Sequence, residues 1–136
     1  GYIRALAENV RTALAGWRPD HLVVSFHGIP ERYAREGDPY ATHCCLTISA
    51  LQQALGWPTE RLTLSFQSRF GRELWLQPYT DATLHRLGEQ RTARVAVMCP
   101  GFTADCLETL EEIGARERRN FLDAGGGELR LVPCLN

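Results

Sequence analysis

His27 and a short acidic run, Asp105, Glu108 and Glu112, are the residues here whose types and spacing could move protons or hold a metal. A neutral imidazole accepts a proton near neutral pH and ligates first-row divalent ions. The carboxylates are spaced i, i+3, i+7. On an α-helix turning roughly 100° per residue, that puts them within about 60° on one face, with Glu111 pointing elsewhere. Like charges on one stripe repel unless they share protons, a cation or solvent, so such a row can pass protons along. Each feature also has a plainer reading. A histidine at a strand end can be a capping or core residue. Asp105-x-x-Glu108 also reads as a capping box, in a first turn where the helix dipole favours acids.

A third group follows the second strand: Phe66-Gln67-Ser68-Arg69-Phe70-Gly71 and then Trp75. Aromatic rings there could flank a flat apolar ligand, and Arg69 or Arg72 could meet its carboxylates. Trp75 could equally anchor its own loop. Cys99 and Cys106 bracket a Pro-Gly break and read as small buried residues. His43 and His85 fall on helices and read as surface residues. His21 begins a strand and carries no signal.

The elements that must position these groups alternate regularly. Residues 1–15 show helical apolar spacing, ended by Gly16 and Pro19. Leu22 to Ser25 reads as a buried strand, stopped by Gly28-Ile29-Pro30, where proline removes a backbone donor. A loop, 27–40, leads to a helix over 42–55 and a strand over 61–66. A helix follows over 79–90, capped by Thr80 or Asp81, then a strand over 93–99. The last pair is a helix from 105 to about 122 and a strand over 128–132, joined at Gly125-Gly126-Gly127. This alternation predicts an α/β fold of three layers: a four-stranded parallel sheet with helices on both faces. Sites in such sheets lie outside the carboxyl ends of the strands, where His27 and residues 99–112 both fall.

At 136 residues, 44% of them hydrophobic, the chain is expected to form a single lobe, residues 1–136, with a core of its own. A net charge of −1 offers no field for nucleic acid or an anionic membrane. No GxGxxG or Walker sequence occurs, which disfavours a nucleotide site. Five cysteines without CxxC spacing predict free thiols and a reducing cytoplasm. No apolar run approaches the ~18 residues of a membrane span. Both ends read as cut, so the chain is expected to be a piece of a longer protein.

Taken in order, SFHGIPERY, EGDPY, TLSFQSRFGRELWLQPYTD, CPGFTADCLETLEEI and VPCLN resemble the successive signature segments of the ferrochelatase family. The resemblance covers nearly the whole chain. It implies a chelatase-like, Rossmann-like topology and two similar α/β lobes around a porphyrin cleft, of which this is the second, without the first lobe and a final helix. It further implies a lyase that inserts ferrous iron into protoporphyrin IX. His27 is implied as proton acceptor and metal contact, with Glu108 the facing acid and second metal contact. Asp105 and Glu112 are implied as a relay. Trp75, Phe26, Ile29, Arg69, Gln67 and Ser68 are the expected substrate contacts. Fe²⁺ is then a substrate and no organic cofactor is needed. Two positions depart from many relatives: Cys106, where those have histidine, and Arg116, which shortens the outer end of the acidic series. The cysteine pattern of iron–sulfur members is not recognisable. Peripheral membrane contact stays open. Other readings are a cobalt or nickel tetrapyrrole chelatase, and an isolated half that binds or packs without activity.

Overall fold

A computed structural model describes all of residues 1–136. In chain order the elements are α1 (Tyr2–Ala13), β1 (His21–His27), α2 (Glu31–Arg35), α3 (Tyr40–Leu55), β2 (Leu62–Gln67), α4 (Thr80–Glu89) and β3 (Arg94–Met98). A π-helix (Leu107–Glu117), α5 (Arg118–Ala124) and β4 (Glu128–Leu131) complete the chain. The four strands form one all-parallel sheet in the order β2-β1-β3-β4.

Period-two alternation along the strands sorts side chains onto two faces. Leu22, Val24 and Phe26 of β1, with Ala96 and Met98 of β3, pack against α1 and α3 through Leu6, Val10, Cys44 and Leu51. Val23, Val95, Val97 and Leu129 face the other way, against Leu84 and Leu87 of α4, Ile113 of the π-helix and Phe121 of α5. Both faces are therefore covered, and the predicted three-layer α/β arrangement is the one found. No helix is long and apolar enough to cross a membrane.

The strand order reverses between β1 and β3. β1 continues outward to β2, whereas β3 returns to its other side. Chains leaving two adjacent strands in opposite directions open a crevice at the strands' carboxyl ends. His27 ends β1 at one side of that crevice, and the 99–108 segment leaves β3 at the other.

Four local expectations are corrected. β1 runs from His21 to His27, so His27 is a ladder residue, in register with Gln67 of β2. The 27–40 loop contains the short helix α2. Helix α4 is capped by neither Thr80 nor Asp81. Its N-cap is Tyr79, with no side-chain cap, and Thr80 is buried instead. The fourth helix begins as a π-helix and becomes α-helical only at Arg118. The π turn closes i→i+5 bonds and so advances fewer degrees per residue than the α turn assumed from sequence.

Candidate active site at the carboxyl edge of the sheet

His27 is held from both ends. Its Nδ1 lies 2.7 Å from the Gly28 carbonyl, and the Tyr40 hydroxyl donates to the His27 carbonyl at 2.7 Å. A carbonyl only accepts, so Nδ1 carries the proton and Nε2 keeps its lone pair. Gly28 allows the tight placement. A Cβ there would meet the Gln67 carbonyl at 3.0 Å and the Trp75 ring at 3.1 Å. Phe102 stands 6.3 Å away, ring centre to ring centre.

A cavity of about 450 Å³ opens beside His27, lined by Ile29, Tyr33, Phe70, Arg72 and Trp75 among others. Phe70 is 74% exposed and lies 5.0 Å from the Trp75 ring, tilted against it. Trp75 itself is only 5% exposed, under Gly28 and Phe70. It serves at least as the loop anchor that the sequence allowed. Of the two arginines proposed to meet ligand carboxylates, Arg72 lines this cavity. Arg69 instead pairs with Asp81 at 2.7 Å and lies 3.8 Å over the Tyr79 ring.

The acids across the crevice are arranged by Gln67, which is 3% exposed. Its Nε2 donates to the Glu108 carbonyl at 2.6 Å and to Glu112 Oε1 at 3.3 Å. Glu112 also accepts from the Ser68 hydroxyl at 2.5 Å and the Ser68 amide at 2.9 Å. Ser68 adopts φ 70°, which aims both donors at one carboxylate. Gln67 and Ser68 thus form the bed under the acidic row. Phe26, 5% exposed, lies in the core behind it.

Glu108 and Glu112 line one open groove of about 590 Å³, and Glu111 shares it, contrary to the expectation from α-helical spacing. The Glu108 carboxyl is held below the usual glutamate range by the neighbouring Cys106 thiol and its own amide. Arg116 closes the outer end of the row, 3.5 Å from Glu112 and 3.4 Å from buried Glu117.

Asp105 stands apart from the row. It accepts from the Cys134 amide at 3.2 Å, from Asn136 Nδ2 at 3.0 Å and from the Thr109 hydroxyl at 3.0 Å. The capping box read from Asp105 and Glu108 is made instead by Cys106 and Thr109, whose Oγ1 accepts the Cys106 amide. Burial alone would raise the Asp105 pKa, but the hydrogen bonds from Asn136, Cys134 and Thr109 outweigh it and hold the carboxyl below its usual range. A carboxyl depressed in the fold contributes stability above its unfolded pKa of about 3.9, lost as pH falls through the folded value. The grip on residues 134–136 should therefore be complete at pH 5 and released below about pH 3.9. The Cys134 amide resonance should move over that window; a flat titration would remove this account of Asp105.

No three His, Cys, Asp or Glu side chains converge to hold a metal ion. The five thiols are unpaired, and burial, with the neighbouring Asp105, pushes the Cys134 thiol up to about 12. The largest cavity, about 730 Å³, lies at the opposite edge of the sheet, among Arg11, Trp17, Trp57 and Arg94. Arg11 there donates to the Ala54 carbonyl at the end of α3 at 2.5 Å, a fold contact far from the histidine.

Sequence reasoning missed the π turn and the buried hydroxyls of Ser25, Ser65 and Thr80. That the two serines pair in register is a property of the folded sheet, which local sequence does not announce.

The ferrochelatase family model matches residues 1–136. The chain is 56% identical over 136 residues to a ferrochelatase of Klebsiella pneumoniae (strain 342). It is 54% identical to ferrochelatases of Escherichia coli O9:H4 (strain HS) and Escherichia coli (strain K12 / DH10B). Each match covers 99% of this chain and 42% of the relative, so the chain spans less than half the length of those proteins.

Proposed function

Because the chain belongs to the ferrochelatase family, we propose that the protein it forms part of inserts ferrous iron into protoporphyrin IX, a nitrogen–metal bond-forming lyase reaction of haem synthesis. The observation that carries this reading is the pairing at the sheet's switch point. A histidine with a free Nε2 stands at the end of β1, and a row of acids springs from the segment after β3.

Insertion exchanges two pyrrole protons for one Fe²⁺, so the site needs a proton acceptor and an exit. His27 Nε2 takes the two protons one at a time, and Glu108 and Glu112 pass each along the groove toward solvent before the next is taken. Imidazole and carboxylate also suit Fe²⁺. Nε2 has a single lone pair, so it meets the iron and the proton in turn, never together, and Glu108 is the contact that can stay on the metal meanwhile. Asp105 fixes the segment from which the row springs. Bending the macrocycle to expose its nitrogens would add a strain contribution of ~1–5 kcal/mol. The cavity walled by Phe70, Trp75 and Arg72 is suited to a flat apolar body with carboxylate arms. No organic cofactor enters.

Leu107 is 73% exposed, and Leu74 and Leu110 are exposed too, close to the acids or to the cavity. Such uncovered apolar side chains support a preceding lobe that completes the cleft, as the relatives' greater length does. Free thiols support a cytoplasmic setting, with membrane contact at most peripheral.

The test is a panel of metals and tetrapyrroles offered to the full-length protein. Ferrous iron and protoporphyrin IX should turn over. Cobalt insertion into sirohydrochlorin without protoporphyrin turnover would overturn the assignment in favour of another chelatase. The 136-residue chain alone should show negligible insertion; robust zinc insertion by it would contradict the need for a second wall.

A further inference from the structure

We propose that Thr80, a buried threonine at the start of α4, is a positioning residue for the acidic row, acting through a one-way chain of hydrogen bonds that runs Thr80, Ser25, Gln67. The direction of that chain follows from its inner end. The Glu108 carbonyl and the Glu112 carboxylate both only accept, so the Gln67 amide must present Nε2 to them and turn Oε1 back into the sheet. Oε1 then requires a donor, and Ser25 Oγ supplies it at 2.7 Å. With its hydrogen spent, Ser25 Oγ can only accept from the Thr80 hydroxyl, 2.8 Å away. Thr80 in turn can only accept from Ser65 Oγ, at 2.7 Å. One hydroxyl orientation satisfies every member, and any reversal leaves two acceptors face to face.

Thr80 is the hub of this arrangement. Ser25 and Ser65 are ladder partners across β1 and β2, and its hydroxyl reaches both. The plainest use for a threonine at the start of a helix is to cap it, and α4 has no side-chain cap. Burial of all three hydroxyls makes the chain costly to leave half-satisfied, so its orientation is firmly set. Without the Thr80 hydroxyl, Ser25 keeps Gln67 Oε1 as its acceptor but loses the donated bond that strengthens its own O–H, so the Ser25–Gln67 bond weakens. The only other donor to Gln67 Oε1 is the Cys99 thiol at 3.5 Å, a weak one. The amide is then held less firmly from the sheet side, and its hold on Glu108 and Glu112 loosens.

Thr80→Val keeps the shape and removes the hydroxyl, while Thr80→Ser restores it. In full-length protein carrying ¹⁵N glutamine, the Gln67 side-chain amide, assigned with Gln67→Ala, should give two widely separated, slowly exchanging proton signals. Thr80→Val should draw them together and speed their exchange, and should lower the turnover of metal insertion about tenfold, the low end for a supporting partner. Thr80→Ser should return both. Should Thr80→Val not fold, Ser65→Ala, which removes only the outermost donor, should move the same signals in the same direction by less. Unmoved Gln67 signals in a folded variant would overturn the proposal. Moved signals with wild-type turnover would overturn the positioning role. The kinetic readout rests on the metal-insertion reading, but the amide signals are read without turnover. A protein that inserts no metal would sink that reading and leave this test standing.

Discussion

Replacing His27 by alanine is expected to lower metal insertion by the full-length protein at least about a hundredfold, because a positioned proton acceptor contributes 10²–10⁴-fold. The same change should cost little stability. The side chain is half-buried, and its one hydrogen bond, from Nδ1 to the Gly28 carbonyl, is worth about 1 kcal/mol. Steady-state iron insertion and urea denaturation of the same preparation separate the two effects. Glu108→Gln belongs beside it, since it removes charge while keeping shape. If His27 and Glu108 act on the same transfer, the double variant should be far less impaired than the product of the two single losses. Wild-type turnover in His27→Ala would remove the proton acceptor from the mechanism. Strictly multiplicative losses would show that the two groups act in separate steps.

Gln67→Leu should behave in the opposite way, costing fold and function together. Leucine fits the space but strands the Ser25 hydroxyl, the Glu108 carbonyl and one oxygen of Glu112, all of which the amide serves. A buried polar group left unpaired costs about 1–3 kcal/mol, and three lose a partner at once, although Glu112 keeps its bonds to Ser68. A loss of about 3 kcal/mol in urea denaturation is expected. Turnover should fall as well, because Glu108 and Glu112 lose their common support. A variant of undiminished stability would mean that the π turn holds itself without the glutamine.

The contrast between these two residues shows what the sequence disclosed. The alternation of helices and strands, and the Gly28-Ile29-Pro30 and Pro100-Gly101 breaks, were enough to place His27 and the acidic run on one edge of a parallel sheet. The geometry of the run was not legible. Regular spacing predicts an α-helix from Asp105 onward, whereas a partner 41 residues earlier in the chain engages the Glu108 carbonyl within a π turn. That contact is tertiary, so no local periodicity announces it. Asp105 was misplaced for the same reason, since what holds it is the Cys134–Asn136 segment. The ion pair of Arg69 was hidden in the same way, because its partner Asp81 lies on the next helix, beyond the reach of local reasoning.

The all-parallel order of the strands also bears on how the molecule comes to exist. Leu22 must find Leu62 on one side and Ala96 on the other, so the central strand cannot complete its ladder until segments far downstream have been made. Pairings of such sequence separation form slowly, because the entropy of closing long loops is spent before any contact offsets it. The histidine and the carboxylates therefore meet only after the sheet has closed, and while it waits the apolar central strand is exposed to self-association.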